Sequence, residues 1–224
     1  MTTSTAVDLN TVKAVYNGAE GDLWELIMGQ QIHIGGFQSS MNLSGLAGIE
    51  NAAHGVDLCC CNGAGMRFLT RFRNVGQMTG VDATETVIAR GRERCAAENL
   101  AHRIDFVHAD VCNSGLPAAH ADFVWGEDAW CYVVDKARLI AEAARIVKPG
   151  GVIAFTDWVA GEVPMSAEEQ ARCLTFMKFP NLQTVAGYQT LLQHHDCTIL
   201  DASDTGQFAP HVDLYLEMVG KQFT

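Results

Sequence analysis

From residue 56 onward, short apolar runs bounded by glycine or polar turns alternate with longer stretches whose apolar side chains recur every three or four positions. The first pattern marks buried strands and the second marks helices. The short runs predict strands over residues 56–60, 77–82, 104–108, 123–126 and 152–156. One helix opens at Gly65 with Phe68, Leu69 and Phe72 inward, and a second follows Thr84, an N-cap residue, with Val87, Ile88, Gly91 and Cys95 at helical spacing. A third covers residues 136–147 behind Asp135, carries the stripe Leu139, Ile140, Ala143, Ala144 and Val147, and is stopped by Pro149-Gly150-Gly151. Strand and helix in alternation describe a parallel sheet with crossover helices, an α/β fold.

The flanks are less regular. Residues 14–28 read as a helix with Leu23, Trp24, Ile27 and Met28 on one face, and residues 39–51 as a polar, glycine-containing approach to the first strand. After the fifth strand, Ser166 and Glu169 form a capping box that opens a helix to about residue 176. A helix over 185–195 leads into 197–202, with His194 and His195 at its C-terminal end. Residues 212–219 alternate apolar and polar in their first half, which predicts an antiparallel edge strand; a short helix is the competing reading. The chain divides into residues 1–50, a lid on the substrate side, and 51–224, the main body of the same domain.

Composition narrows the function classes. At 224 residues and 48% apolar content, one large domain with a substantial core is expected. The net charge of −11, from 15 basic and 26 acidic residues, leaves no Lys/Arg-rich face for a phosphate backbone, so nucleic acid is not an expected partner. No membrane association is expected, because no apolar run is long enough to span a bilayer. The polar first ten residues do not read as a secretory signal, and the eight cysteines do not form a disulfide framework. A cytoplasmic location follows as the expectation.

The chemistry lies where strands end. The first strand breaks into Cys61-Asn62-Gly63-Ala64-Gly65 before a helix, a turn that brings backbone N–H groups close to a nucleoside-like ligand. Asp82 ends the second strand, where a carboxylate accepts hydrogen bonds from both ribose hydroxyls, and Asp110 follows the third, on the adenine side. A sharp turn at 148–151 precedes the fifth strand. An NAD-type fingerprint would need a glycine where Phe68 stands. Cys59, Cys60 and Cys61 lack the partner spacing of a metal site, so no metal is expected.

In order and spacing this set resembles the class I S-adenosylmethionine-dependent methyltransferases. The resemblance implies a Rossmann-like fold: a seven-stranded, mostly parallel sheet with an antiparallel last strand and helices on both faces. It implies S-adenosyl-L-methionine as cofactor, held by Asp57, Cys59, Cys61, Asn62, Gly63, Asp82, Ala83, Asp110, Val111 and Glu127. Ile32-His33-Ile34-Gly35, Glu127-Asp128-Ala129 and Phe208-Ala209-Pro210-His211 resemble the glycine, sarcosine and dimethylglycine N-methyltransferases and their small-molecule relatives. Two departures stand out. Cys59 and Cys61 occupy positions where that family carries glycine, and Tyr132 stands where close relatives often have histidine.

The expected reaction is methyl transfer to a small-molecule acceptor, at an amine nitrogen. Transfer to carbon or oxygen, or cofactor binding without catalysis, are the alternatives. Tyr132 and His33 are the catalytic candidates; Trp130, Asp157, Trp158 and His211 are the candidates for acceptor binding. A homo-oligomer is compatible with all of this.

Overall fold

The computed structural model describes residues 7–222. Its centre is a five-stranded sheet, β1 (His54–Leu58), β2 (Gln77–Asp82), β3 (Ile104–His108), β4 (Ala121–Glu127) and β5 (Val147–Thr156), in the order β3-β2-β1-β4-β5. Every neighbouring pair is parallel, and Asp57 lies in register between Gly80 on one side and Trp125 on the other. The order reverses between β1 and β4, so the connections leaving these two strands part and open a crevice above their C-terminal ends.

Three helices precede the sheet: α1 (Leu9–Tyr16), α2 (Ala19–Met28) and α3 (Gly36–Leu46). Two more, α4 (Ala64–Phe72) and α5 (Glu85–Ala97), follow β1 and β2; α6 (Lys136–Ile146) precedes β5. The last three are α7 (Ala167–Met177), α8 (Val185–Gln193) and α9 (Phe208–Gln222). Each face of the sheet has its own apolar layer. Met66, Phe68, Leu69 and Ile88 from α4 and α5 pack on Met78, Phe106, Phe123 and Trp125. Leu139, Ile140 and Ile146 of α6, with Tyr188 of α8, pack on Val56, Leu58, Val81 and Val124. Both faces being covered, the central strands read as continuous apolar runs. Among the described residues no helix is long and apolar enough to cross a membrane.

The α/β, Rossmann-like class holds, but among the described residues the sheet has five strands rather than seven. Residues 197–202 are irregular, and 212–219 lie inside α9. Val212, Tyr215, Met218 and Val219 are half-buried while Asp213, Leu214, Leu216 and Glu217 are exposed. That is a helical face; the period-two alternation at 212–216 misled because it spans barely one turn. At the N-terminus, Asn17 and Gly18 divide the expected helix in two. The polar stretch before β1 is the helix α3, whose buried residues are Ser40 and Ser44. Ser44 Oγ donates to the Ser40 carbonyl and accepts from Arg73 Nε at 2.7 Å, so tertiary hydrogen bonds hold a face that apolar periodicity cannot reveal. Phe72 is 55% exposed, packed edge-on against Phe37 rather than turned into the core. β5 begins at Val147, ahead of the Pro149-Gly150-Gly151 turn, with a register irregularity opposite Ala121 and Phe123.

The caps behave as the sequence suggests at Asp135, which accepts from Arg138 N, and at Ser166 and Glu169, which form a full capping box. At α5 the Thr84 side chain makes no cap bond; its backbone N–H instead donates to Asp82 Oδ1 at 2.8 Å. After β1 the backbone takes left-handed values at Cys59 (φ 68°), Cys61 (φ 48°) and Gly63 (φ 73°). The Cys59 and Cys60 amides donate to the Val81 carbonyl, and the Cys61 amide donates to Asp82 Oδ2 at 2.9 Å. Glycine at Gly63 is required twice over, by φ and by Phe106, whose ring a Cβ there would meet at 2.6 Å.

Two predictions follow from these geometries. A left-handed L-residue costs about 1–2 kcal/mol. Cys61→Gly should therefore raise the thermal midpoint by about 2–4 °C, and an unchanged or lowered midpoint in calorimetry contradicts strain at this residue. On α6, Glu142 accepts from Ser114 N at 2.9 Å and from Arg145 Nε at 2.7 Å. The Arg145 and Ser114 hydrogen bonds hold its carboxyl down at about 2, against an ordinary value of 4.5. A carboxylate depressed by folding stabilises above its unfolded value and stops doing so as pH falls through the folded one. Glu142→Gln should lose about 1–3 kcal/mol at pH 7, and the loss should shrink between pH 4.5 and 2 in urea titrations; a pH-independent loss contradicts the charge-based account.

Candidate active site

The crevice above β1, β2, β3 and β4 encloses about 360 Å³. Its floor is the turn Cys59–Asn62 with Gly65 at the start of α4, and Asp57, Asp82, Asp110, Glu127 and Asp128 all line it. With Asp135, six acidic side chains surround this one small volume and give a strongly electronegative site, suited to a ligand carrying positive charge.

Asp57, at the centre of the sheet, is buried, and burial together with Glu127 and Asp82 pushes its carboxyl well above the ordinary aspartate range. A Cβ added at Gly65 would meet Glu127 Oε2 at 2.8 Å, Trp125 Nε1 at 3.2 Å and Asp57 Oδ2 at 3.4 Å. The Trp125 indole N–H is buried without a hydrogen-bond partner. Polar atoms thus converge on a bare glycine beside the free N–H groups of a helix N-terminus. Asp82 divides its carboxylate between the Cys61 and Thr84 amides, and burial raises its pKa. Asp110 is exposed at the rim, with Oδ1 accepting from Cys112 N at 2.9 Å.

The N-terminal helices roof this floor. Leu9, Val12 and Tyr16 of α1 face it, as do Gln30, Gln31, Ile32 and His33 of the loop between α2 and α3. The roof is tied down at several points. Ser40 Oγ donates to Glu127 Oε1 at 2.7 Å, His33 Nε2 lies 3.4 Å from the same oxygen, and Ile34 N donates to Asp128 Oδ2 at 2.8 Å. The buried Arg67 spans from the Asn62 carbonyl (2.7 Å) to Gln30 Oε1 (2.8 Å). Further out, Arg94 pairs with Glu25 and Arg90 with Asp22, joining α5 to α2.

Most of the sequence-predicted residues come together here. Asp57, Cys59, Cys61, Asn62, Asp82, Ala83, Asp110, Val111, Glu127, His33 and Tyr132 all line the crevice, and Gly63 shapes its turn. Tyr132 sits on a single 3-10 turn, Trp130–Tyr132, with its ring 5.7 Å from Tyr16 and 5.0 Å from Phe179. Burial pushes both tyrosine hydroxyls up, so they stay neutral through the ordinary pH range.

Four candidates lie behind the wall rather than on it. Trp130 is fully buried, donates to the Leu58 carbonyl at 3.1 Å and stacks on Phe155: it is core. Asp157 accepts from Cys131 N at 2.8 Å and from Tyr188 Oη at 2.6 Å, with its carboxyl pushed up to about 6 by burial. Trp158 packs edge-on against Phe179 and Phe208. His211 bonds through Nδ1 with the Gln207 carbonyl and stands beside Gly35. Sequence reasoning missed Tyr16, Gln30 and Arg67, and gave Asp128 only as part of the motif Glu127-Asp128-Ala129, with no role of its own. Leu9, Val12 and Tyr16, spaced i, i+3 and i+7, were the available signal for α1. Arg67 offered none, because its side-chain partners Gln30 and Glu98 are distant in sequence.

Comparison with known proteins agrees with this geometry. Residues 56–155 match the family described as "Methyltransferase domain". The chloroplastic tocopherol O-methyltransferase of Arabidopsis thaliana is 27% identical over 90% of this chain and 67% of its own length. The glycine/sarcosine/dimethylglycine N-methyltransferase of Actinopolyspora halophila is 23% identical over 94% of this chain and 40% of its own. The structure of Haemonchus contortus phosphoethanolamine N-methyltransferase 2 with S-adenosyl-L-methionine superposes with a TM-score of 0.82 at 18% identity, covering 94% of this chain and 50% of that one. The chain therefore spans between 40% and 67% of the length of these relatives. A sheet that reverses order above a glycine-bearing turn, acids at the ends of its strands and the match over that core point the same way: residues 56–155 match a methyltransferase domain, and the chain shares its fold with S-adenosylmethionine-dependent methyltransferases.

Proposed function

We propose that the chain transfers the methyl group of S-adenosyl-L-methionine to a small-molecule acceptor, at an amine nitrogen. The observation that carries this reading is the pairing of carboxylates with the Tyr16 and Tyr132 rings around one crevice of about 360 Å³. Acidic groups and aromatic faces both attract an ammonium, so they draw an amine in.

The residues fit the cofactor. The convergence of Glu127, Asp57 and the unpartnered Trp125 N–H on Gly65 offers partners to an ammonium and a carboxylate at the end of an amino acid. Asp82, with lone pairs left beyond its two amide bonds, would accept from the ribose hydroxyls, and Asp110 at the rim would take the adenine amino group. When bound, the cofactor supplies an activated methyl electrophile, so alignment and desolvation are the protein's main contributions. The Cys59–Asn62 turn sets the depth of the ligand and the α1–α2 roof excludes water. Tyr132, neutral and held by its 3-10 turn, orients the acceptor nitrogen by accepting its N–H. His33, tied through Nε2 to Glu127, keeps Nδ1 without a partner, so its lone pair is available to the proton the amine must lose. Asp157, Trp130, Trp158 and His211 serve from behind, holding the Tyr132 turn and the roof.

Asp82→Ala should weaken S-adenosylmethionine binding at least about tenfold in calorimetric titration, since a charged hydrogen-bond acceptor contributes about 1.5–3 kcal/mol. Its far-UV circular dichroism should be unchanged; undiminished affinity removes Asp82 from the ribose site. Tyr132→Phe should lower kcat about tenfold or more against a panel of amines and phenols, with cofactor affinity unchanged. An unaltered rate refutes the orienting role, and turnover confined to phenols replaces the amine with an oxygen acceptor.

A further inference from the structure

We infer that the acceptor amine carries no carboxylate or phosphate group; this deepens, and rests on, the amine-methylation reading. The inference comes from where the cations are. Among the described residues lining the crevice, Arg138 is the one Lys or Arg side chain. It stands on the first turn of α6 behind Asp135, near Cys112 on the same side as Asp110, the residue assigned above to the adenine end.

The neighbouring cations are already committed. Arg67 is buried against the Asn62 carbonyl, Gln30 and Glu98. Lys136 Nζ points behind the wall, donating to the carbonyls of Cys131, Val133 and Asn181. Arg90 and Arg94 are paired with Asp22 and Glu25 between α5 and α2. What the acceptor side presents instead is Glu127, Asp128, Gln31, the His33 imidazole and the two tyrosine rings.

A bound carboxylate or phosphate needs a fork of charged donors to replace its hydration. Placed here, it would meet two carboxylates in a water-poor space and repel them. An amine on an apolar or aromatic body has no such difficulty: its nitrogen faces the acids and its body faces Tyr16, Tyr132 and Ile32.

The test uses the full chain with matched acceptors: tyramine against tyrosine, histamine against histidine, ethanolamine against phosphoethanolamine. Tyrosine methyl ester serves as a bulkier but uncharged control. Methylated product is read by mass spectrometry, and acceptor binding by calorimetry in the presence of S-adenosylhomocysteine. The expected result is that the acid-free member binds at least tenfold more tightly and, where transfer occurs, has the higher kcat/KM, with the ester grouping beside tyramine. Equal or better binding by the acid-bearing members overturns the inference, as does an ester that behaves like tyrosine. If the amines bind in the expected order and no methyl is transferred, the methylation reading fails while the charge rule stands. If acid-bearing amines are methylated as well as the others, the charge rule fails and the methylation reading stands. Absence of binding by every amine overturns both.

Discussion

The site depends on one carboxylate. Asp82 accepts from the Cys61 amide on the turn after β1 and from the Thr84 amide at the entrance to α5. It thereby fixes two neighbouring strand ends to each other and holds the left-handed backbone at Cys61 in place. Everything on the crevice floor takes its position from that turn, including Asn62, Gly65 and the exposed N-terminus of α4. The same acid lines the crevice, so the ribose role proposed for it would join the architecture of the turn to the recognition of its ligand.

A second constraint comes from the roof. The loop after α2 and the start of α3 are joined to the C-terminal end of β4 by Ser40 to Glu127 and Ile34 to Asp128, and to α4 by Arg67 to Gln30. These are polar, partly buried contacts between parts of the chain distant in sequence, and they reach the same carboxylates that line the crevice. Glu127 is the shared element: one oxygen takes the Ser40 hydroxyl, and the other faces Gly65. The state of the roof and the electrostatics of the floor are therefore coupled through one side chain.

How much of this was legible beforehand follows from the kind of force involved. Strands β2 and β3 coincide with the runs that predict them, and the central β1 and β4 are buried along nearly their whole length, as parallel strands covered on both faces are. The carboxylates at the strand ends were legible because their positions relative to those runs are fixed by the fold. What escaped notice was built from polar tertiary contacts. Helix α3 buries serines and Arg67 bridges two loops, and neither leaves a periodic trace. At 212–219 a two-residue alternation concealed the helical face of Val212, Tyr215 and Val219, and the two expected strands beyond β5 went with it. Trp130, placed on the rim by counting from β4, is instead swallowed by the core, because its indole N–H finds the Leu58 carbonyl.

The most direct measurement is a crystal structure of this chain grown with S-adenosylhomocysteine. The account predicts both ribose hydroxyls within hydrogen-bond distance of Asp82, the amino-acid end beside Gly65 and Glu127, and the Cys59–Cys61 turn in its left-handed form. A nucleoside lodged elsewhere, or a turn that must unwind to admit it, contradicts the account.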